Sequence, residues 1–261
     1  MATFLFDKII FGPVKSRRLG VSLGINLLPT NRKVCNFNCI YCECGWTSEK
    51  INIRNEPLPS RKEVYDALDK KLSEMKAAAQ PPDVITYAGN GEPTLHPEFP
   101  GIIDDSIELR DKYFPDAKIA VLSNSTSIAR PEIRKALLKV DKNILKLDSA
   151  FDLTVKIHNQ PRVNVKVRDL IKNLSGLKGS VIIQTLFLRG TYNGRVIDNT
   201  TPEELSAWLM ALEQIRPSEV MIYTIHRDTP EGSDLHKVPP EDLKRIAAMV
   251  NNLGIKTRVS C

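Results

Sequence analysis

The sequence predicts an α/β fold assembled from parallel strand–helix–strand units. Short apolar runs rich in β-branched residues alternate with longer amphipathic stretches, and this alternation repeats about six times along the chain. Several amphipathic stretches begin with helix-start signals, and no low-complexity tract or long linker divides the chain. Units of this kind close into a barrel or form an open doubly wound sheet, and the pattern by itself is compatible with both.

The predicted strands are short apolar runs, and most of them precede a predicted helix. The strands are expected at residues 33–37, 84–87, 118–122, 143–147, 180–187, 220–224 and 255–259. The helices are expected at residues 61–78, 100–113, 131–139, 165–174, 202–215 and 240–253. The last two helices have start signals, because Thr201 precedes Pro202 and two acidic residues, and Pro239 precedes Pro240 and another acidic pair.

The length and composition are typical of a globular protein and not of a disordered or membrane-spanning chain. Of the 261 residues, 42% are apolar and 26% are charged, and no uncharged apolar run approaches the roughly 20 residues that cross a bilayer. Asp7 and Lys8 interrupt the apolar start, which we interpret as neither a signal peptide nor an anchor. The net charge of +6 is compatible with a polyanionic partner but does not require one. We expect a cytoplasmic protein with no membrane partner.

The cysteines are the most informative part of the composition. Four of the five, Cys35, Cys39, Cys42 and Cys44, lie within ten residues, and Cys261 is the last residue. A disulfide framework would spread its cysteines along the chain in pairs. The crowding therefore predicts a metal or cluster site in a reducing compartment.

The spacing C-x3-C-x2-C of Cys35, Cys39 and Cys42 favours an iron–sulfur site. Three thiolates can hold three corners of a [4Fe–4S] cluster, whose full ligation takes four cysteines, so that one iron stays open. Zinc is the main alternative, because it accepts four thiolates and Cys44 could supply the fourth. Unreactive bystander thiols are the remaining interpretation, and the one we favour for Cys44 and Cys261.

With Tyr41 before the third cysteine, the motif resembles the C-x3-C-x-aromatic-C sequence of radical S-adenosylmethionine (SAM) enzymes. The resemblance implies that Cys35, Cys39 and Cys42 hold a [4Fe–4S] cluster whose open iron binds the amino and carboxylate groups of SAM. It also implies that reduction cleaves SAM to methionine and a 5′-deoxyadenosyl radical, which abstracts hydrogen from the substrate, an oxidoreductase-type reaction. Tyr41 would then lie near the adenine.

Gly89, Gly91 and Glu92 belong to a second motif, Gly-Asn-Gly-Glu-Pro-Thr, which follows a predicted strand. The motif is not a dinucleotide fingerprint, because it lacks the third glycine of G-x-G-x-x-G and Pro93 removes a backbone donor. It resembles the G-G-E-P segment of radical SAM enzymes, with Asn90 inserted between the glycines. The resemblance implies that Gly89, Gly91 and Glu92 bind the SAM ammonium, since glycine allows close approach and a carboxylate accepts hydrogen bonds from a cation.

Polar residues also follow two further predicted strands. Ser123 and Asn124 end one of them, and the resemblance assigns them to the SAM ribose or carboxylate. Lys146 and Asp148 end the next and, by the two-residue alternation of strands, share one face. We predict that Lys146 and Asp148 are catalytic and face the central cavity, the alternative being an internal ion pair.

Two later strands supply the remaining candidates. Gln184 and Tyr223 lie where the resemblance places SAM. Arg189 either pairs with a carboxylate or faces solvent, and His226 is either a proton donor at the mouth of the barrel or a surface residue.

The resemblance covers residues 33–226 and implies a partial (β/α)6 TIM-like barrel with parallel strands. Residues 1–32 then form a short N-terminal β extension and residues 227–261 a C-terminal helical extension of a single radical SAM domain, residues 1–261. In parallel α/β barrels the active site lies at the carboxyl ends of the strands, where the candidate residues fall.

Segments outside the cysteine motif are similar to a smaller group within this family, the group related to wyosine tRNA-base synthases. The segments are residues 11–20, 22–27, 89–99 and 145–148. The similarity implies a tRNA base as substrate, and the family implies an electron donor such as flavodoxin or ferredoxin. The second cluster of the archaeal-type synthases is not expected, because no cysteine precedes Cys35.

Two other functions stay open. One is a glycyl-radical-activating or peptide-modifying radical SAM enzyme, and the other, of a different class, is a zinc-binding nucleic-acid module. Two basic runs, one with Lys15, Arg17 and Arg18 and one with Arg32 and Lys33, are either solvated faces or phosphate contacts. The four histidines form no catalytic motif, and no hydrolase or phosphotransferase motif is present.

Overall fold

A mostly parallel sheet forms the centre of the protein. The computed structural model describes residues 4–16, 18–47, 53–177, 179–226, 229 and 233–260. The strands in this part of the chain are β1 (Ile10–Ser16), β2 (Gly20–Ile25), β3 (Val84–Tyr87), β4 (Lys118–Ser123), β5 (Lys142–Lys146), β6 (Ile182–Tyr192), β7 (Arg195–Asp198), β8 (Glu219–Thr224), β9 (Ser233–Lys237) and β10 (Lys256–Ser260).

The strand order confirms the partial parallel barrel. β2, β3, β4, β5, β6 and β8 are neighbours in that order, and each pairs in parallel with the next. β1 pairs antiparallel with β2 at one edge of the sheet, and β10 pairs in parallel with β8 at the other. The sheet therefore stays open between β1 and β10.

The helices connect these strands. They are α1 (Arg61–Ala77), α2 (Phe99–Tyr113), α3 (Pro131–Leu137), α4 (Asp152–His158), α5 (Val167–Ser175), α6 (Pro202–Ile215) and α7 (Pro240–Asn252). The six predicted helices are confirmed, with ends that differ by at most two residues. The sequence did not predict α4, because its seven residues are too few for a clear helical period. Within the described residues, every helix is too short or too polar to traverse a bilayer.

Apolar residues are buried on both faces of the central strands. In β3, Ile85 and Tyr87 join the main core with residues of the surrounding helices, whereas Val84 joins a second cluster. That second cluster contains only residues from neighbouring strands together with Leu19: Val84, Ala120, Leu122, Ile144, Ile182 and Met221. Burial on both faces explains why these parallel strands are nearly continuous apolar runs in the sequence.

The expected strand at residues 33–37 is wrong. Within this segment the only pairings are isolated bridges from Val34 to Gly91 and from Phe37 to Pro161. The strand that precedes the cysteines in the parallel sheet is β2, which lies in the segment expected to be an extension. The β structure expected in this extension is present, but the place of β2 in the parallel sheet was not predicted, because Gly20 and Gly24 have low strand propensity and weaken its pattern.

β6 continues well beyond its predicted end at residue 187. Its outer half pairs antiparallel with β7 and with β9, forming a small second sheet. Leu188 of β6 and Ile197 of β7 pack in one apolar cluster with Ile40, which lies between the second and third cysteines. This small sheet therefore covers part of the cysteine segment.

We predict that Ser60→Ala lowers the free energy of unfolding by about 1 kcal/mol, the usual cost of losing an N-cap. Ser60 begins α1 with a capping box, in which its hydroxyl accepts from Glu63 N (3.3 Å) and its own N–H donates to the Glu63 carboxylate (2.7 Å). Urea titration of the folded protein measures the change. Ser60→Thr keeps a hydroxyl that accepts from Glu63 N and donates to the Glu63 carboxylate, and is expected to match the wild type. An equal loss in both variants would contradict the cap.

Candidate active site

The carboxyl ends of the parallel strands surround a cavity of about 340 Å³. Nearly all the predicted site residues line this cavity, although they are widely separated in sequence. They are Cys35, Cys39, Tyr41, Cys42, Gly89, Gly91, Glu92, Ser123, Asn124, Lys146, Gln184 and Tyr223. A volume in this range is typical of small-molecule sites.

The cysteine loop, residues 33–47, contains no helix or regular strand and is held by neighbouring loops. On one side, Val34 N donates to Asn90 O (2.8 Å) and Val34 O accepts from Glu92 N (3.1 Å). On the other side, the N–H groups of residues 38 and 40 donate to carbonyls at the end of α4, both at 2.9 Å. The conformation of the loop therefore depends on both flanking segments.

All three predicted ligand sulfurs accept hydrogen bonds from nitrogen, and that of Cys42 does so from the Lys33 ammonium and from the Cys44 N–H. Cys35 Sγ accepts from Phe37 N (3.4 Å) and from Asn124 Nδ2 (3.6 Å). Cys39 Sγ accepts from Asn159 Nδ2 (3.4 Å). Hydrogen bonds to sulfur are one of the means by which proteins set the reduction potential of iron–sulfur clusters.

The thiols differ in their proton affinity. Burial raises the pKa of Cys35 to about 12 and also raises that of Cys39. The Cys44 thiol donates a hydrogen bond to Cys42, and the ammonium of Lys33 adds to this effect, so that the pKa of Cys42 is lowered to about 5. Because metals bind thiolates, cluster binding would displace the protons of the two buried thiols.

The donor set fits an iron–sulfur cluster. Three thiols line one cavity, and the adjacent wall carries a carboxylate, amides and hydroxyls that can bind a polar ligand. In the part of the chain that the structure describes, no three His, Cys, Asp or Glu side chains converge closely enough to hold a single metal ion.

Gly91 and Glu92 connect the loop after β3 to its surroundings. Gly91 has a φ of 140°, and a Cβ atom there would lie 1.8 Å from Val34 O. Glycine is therefore required by the approach of the cysteine loop, and not only by a ligand as the sequence suggested. Glu92 is buried, and its carboxylate accepts from Thr94 N (3.1 Å) and from Asn124 N (2.6 Å). Burial raises the pKa of Glu92.

Asn90, the inserted residue of the motif, does not line the cavity. Its side chain is fully buried and forms two 2.8 Å hydrogen bonds with the backbone of Phe6, one in each direction. It also donates to Pro29 O at 2.8 Å. The inserted residue Asn90 therefore attaches the N-terminal segment to the loop after β3.

Asp148 does not line the cavity, contrary to the prediction. Its buried carboxylate accepts hydrogen bonds from Tyr41 OH, from Asn159 Nδ2 (2.7 Å) and from Leu186 N (3.0 Å). Lys146 Nζ lies 3.5 Å from the same carboxylate. These donors occupy its oxygens, so Asp148 is a positioning residue that connects the cysteine loop, β5 and β6.

Lys146 does face the cavity, as predicted. Its Nζ donates to Tyr223 OH (3.3 Å) and lies 5.1 Å from the centre of the Tyr41 ring. Burial lowers the pKa of Lys146, but Asp148, Tyr223 and Cys39 together outweigh burial, and the net effect is a raised pKa. Lys146 therefore presents a cation to the cavity at neutral pH.

Sequence reasoning missed three residues of the site. Lys33 was expected on a solvated face or at a phosphate, yet it is 4% exposed, lines the cavity and donates to Gly45 O (2.9 Å). Arg18 also lines the cavity, with its guanidinium 4.7 Å from the centre of the Tyr223 ring. The third is Asn159, which lies just after α4 and belongs to no motif that would have indicated its contact with Cys39. For Lys33, the signal was its position two residues before the first ligand.

The other candidates have varied positions. Cys44 and His226 line the cavity, and Cys44 Sγ lies 3.5 Å from Gly89 O. Arg189 forms an ion pair with Asp242 (2.8 Å), which is the first of its two alternatives, pairing with a carboxylate. Arg32 is exposed and pairs with a glutamate, and Lys15 is exposed. Arg17 and Cys261 lie outside the described residues.

Comparison with known proteins identifies the family. Residues 33–198 match the model of the radical SAM superfamily. This chain belongs to the radical SAM superfamily. It is therefore an enzyme of the radical SAM class, and membership implies SAM and an iron–sulfur cluster as its cofactors.

Several curated proteins are similar over most of this chain. A protein named GTPase Obg from Brachyspira hyodysenteriae is 31% identical over 233 residues, which cover 86% of this chain but only 31% of that protein. A UPF0026 protein from Helicobacter pylori is 29% identical over 251 residues, 95% of this chain and 75% of that protein. UPF0026 protein MJ1312 from Methanocaldococcus jannaschii is 28% identical, covering 96% of this chain and 74% of that protein.

Two solved structures share the fold. A radical SAM methyltransferase from Sphaerobacter thermophilus superposes with a TM-score of 0.65 at 12% identity, covering 92% of this chain and 65% of that one. SuiB from Streptococcus suis, bound to its precursor peptide SuiA, gives 0.61 at 13% identity, covering 91% of this chain and 48% of that one. At these identities the likeness shows the fold alone.

We predict that Gly91→Ala displaces the cysteine loop and at least halves the iron bound per chain after anaerobic reconstitution. The added methyl group would lie 1.8 Å from Val34 O. Gly254→Ala is the matched control, because Gly254 also has a positive φ, 74°, but no atom lies within 4 Å of the place that its Cβ would take. The control should lose only about 1 kcal/mol of stability from its backbone conformation and should keep its iron. Equal iron contents in both variants would contradict the contact.

Proposed function

We propose that this protein reductively cleaves SAM at a [4Fe–4S] cluster held by Cys35, Cys39 and Cys42. When bound, the reduced cluster supplies the electron that splits SAM into methionine and a 5′-deoxyadenosyl radical, which abstracts hydrogen from the substrate. The observation that carries the proposal is the presence of the three thiols on the wall of the same cavity as Glu92 and Lys146. A reducing cytoplasm would keep these thiols available.

We assign the polar wall of the cavity to SAM. Glu92 offers a carboxylate to the ammonium group, next to the backbone of Gly89 and Gly91. The side chains of Ser123 and Asn124 follow β4 and offer a hydroxyl and an amide to the ribose or the carboxylate. These assignments rest on the family resemblance and on the position of each residue at the cavity.

The aromatic and cationic side chains complete the assignment. Tyr41 and Tyr223 flank Lys146 and supply apolar rings for the adenine, with Gln184 as a nearby amide. Lys146 is the catalytic candidate, because it holds a proton at Nζ and can bind an anionic or carbonyl oxygen of the substrate. Asp148 acts through Lys146 and Tyr41 by fixing their positions.

The proposed substrate is a base in tRNA. The support is the similarity of residues 11–20, 22–27, 89–99 and 145–148 to the group related to wyosine tRNA-base synthases. The net charge of +6 and the Arg18 guanidinium at the cavity agree with a polyanionic substrate.

Formation of 5′-deoxyadenosine tests the cluster chemistry. The protein is purified and reconstituted without oxygen, given SAM and dithionite, and the nucleoside is quantified by chromatography. We expect the wild type to form it and the variant with Cys35, Cys39 and Cys42 all changed to Ala to form none. A colourless wild type with tightly bound zinc and no nucleoside would overturn the proposal.

The variant Cys44→Ala separates the iron–sulfur site from a zinc site. Three thiolates suffice for a cluster with an open iron, so we expect Cys44→Ala to keep its iron and its visible absorption. A four-thiolate zinc site would instead lose its metal in this variant, since Cys44 would be the fourth ligand.

Total tRNA from cells that lack this enzyme tests the substrate. We expect such tRNA to increase the yield of 5′-deoxyadenosine and to gain a mass change in one nucleoside after digestion. RNase treatment of the tRNA is the control. Stimulation by a protein fraction and not by tRNA would favour the glycyl-radical-activating or peptide-modifying alternative.

A further inference from the structure

A second cavity lies on the outside of the cysteine loop. This cleft, here called the basic cleft, has a volume of about 640 Å³. Its walls come from the cysteine loop, α4, the segment after α4 and the turn between β6 and β7, and the residues that matter here are Asn38, Lys156, Gln160, Arg162, Tyr192 and Arg195. It shares no lining residue with the active-site cavity.

The basic cleft carries charge of one sign. Its described lining contains the exposed cations Lys156, Arg162 and Arg195 and no carboxylate. Among the described residues, Lys156 and Arg195 have no ion-pair partner, whereas Arg162 donates to the carbonyl of Thr47 and so supports the cysteine loop. Unneutralised charge in a concave surface attracts an oppositely charged partner and raises its association rate by about 10- to 1,000-fold.

The cleft is separated from a cluster ligand by a single residue. Asn159 donates from its side chain to Cys39 Sγ (3.4 Å), and its carbonyl accepts from Asn38 N (2.9 Å). Asn38 and the next residue after Asn159, Gln160, both line the cleft. Along the loop, Phe37 and Cys39 line the active-site cavity while Asn38 lines the cleft, so the loop is the wall between the two.

This placement suits the delivery of electrons. Radical SAM enzymes need an electron donor, and a donor bound at the active-site cavity would compete with SAM and substrate for the same opening. A donor bound in the basic cleft approaches the Cys39 side of the loop and leaves the cavity free. RNA is the less suitable occupant of the cleft. The reacting base of an RNA substrate must enter the active-site cavity, and the cavity and the cleft have no lining residue in common.

We propose that the basic cleft docks a small acidic one-electron carrier protein of the flavodoxin or ferredoxin kind, an inference that rests on the proposed function. Carboxylates on the carrier would pair with Lys156 and Arg195. The reduced carrier loses one electron and the oxidised cluster gains one, with no transfer of a proton or group. Because the contacts are exposed ion pairs, docking weakens as the salt concentration rises.

The test compares two charge-matched double variants of the reconstituted enzyme. The cleft variant carries Lys156→Glu and Arg195→Glu, and the control variant carries Lys70→Glu and Lys244→Glu, two exposed lysines outside both cavities. Anaerobic stopped-flow absorbance follows the oxidation of flavodoxin hydroquinone at low salt. We expect the cleft variant to react at least 10-fold more slowly than the wild type and the control variant to stay within twofold.

Two further measurements make the result specific. Dithionite, a small reductant that needs no docking, should reduce the cluster equally in all three proteins, as judged by EPR. The Kd of oxidised flavodoxin, measured by fluorescence anisotropy, should rise at least 10-fold for the cleft variant alone. Substitutions that damaged the structure would also impair reduction by dithionite, so equal reduction by dithionite together with a raised Kd separates docking from a structural role.

Two outcomes would overturn the proposal. One is an unchanged flavodoxin rate and Kd in the cleft variant. The other is loss of total-tRNA binding in that variant while the flavodoxin rate stays at the wild-type value, which would assign the cleft to RNA. If dithionite yields no 5′-deoxyadenosine from the wild type, the proposed function fails instead, and the Kd comparison still decides whether the cleft docks the carrier.

Discussion

The site depends on two buried carboxylates, because the cysteine loop has no regular secondary structure of its own. Glu92 accepts the backbone N–H of Asn124 and so ties the loop after β3 to the end of β4. Asp148 accepts from Tyr41, Asn159 and Leu186, and so ties the cysteine loop to β6. A buried acceptor without its donors costs about 1–3 kcal/mol or more. The position of the thiols is therefore coupled to both carboxylates.

The electrostatics of the cavity follow from the same arrangement. Lys33 and Lys146 are both largely removed from water and both line the cavity with the three thiols. Burial lowers the pKa of both lysines, but Cys42, Cys35 and Cys39 together raise that of Lys33, and Asp148, Tyr223 and Cys39 together raise that of Lys146. Each cation is thus held by groups on the cysteine loop or just after β5, and a cation in turn favours the thiolate form that binds metal. The loop and its charges stabilise one another.

Much of this could be predicted from the sequence, and the misses have physical causes. The cysteine spacing and the glycine–glutamate motif predicted the cluster and the SAM site, because each motif contains several residues at fixed distances along the chain. β2 was expected only as part of an N-terminal β extension and not as a strand of the parallel sheet, because glycines weaken its pattern. The outer half of β6 was missed because its pairing depends on β7 and β9. The two-residue alternation of a strand predicted that Lys146 and Asp148 both face the cavity, which is correct only for Lys146. Asp148 lies beyond Lys146, the last residue of β5, where the alternation no longer applies.

Side-chain environments were the least predictable part. Asn90 looked like a disturbance of a glycine pair, and its role became visible only with Phe6 and Pro29 in place. Lys33 looked like part of a solvated basic run, because its burial depends on how the cysteine loop folds back on itself at Gly45. Such contacts join residues whose proximity arises from the tertiary structure, and no local pattern encodes them.

The central claim is that three thiols of one loop hold a cluster with an iron open to SAM. EPR of the anaerobically reconstituted and reduced protein, recorded with and without SAM, tests it most directly. The account predicts the signal of a reduced [4Fe–4S] cluster, with about four irons per chain, and a change in its g values when SAM is added. A signal that SAM leaves unchanged, or a protein that binds no iron, would contradict it.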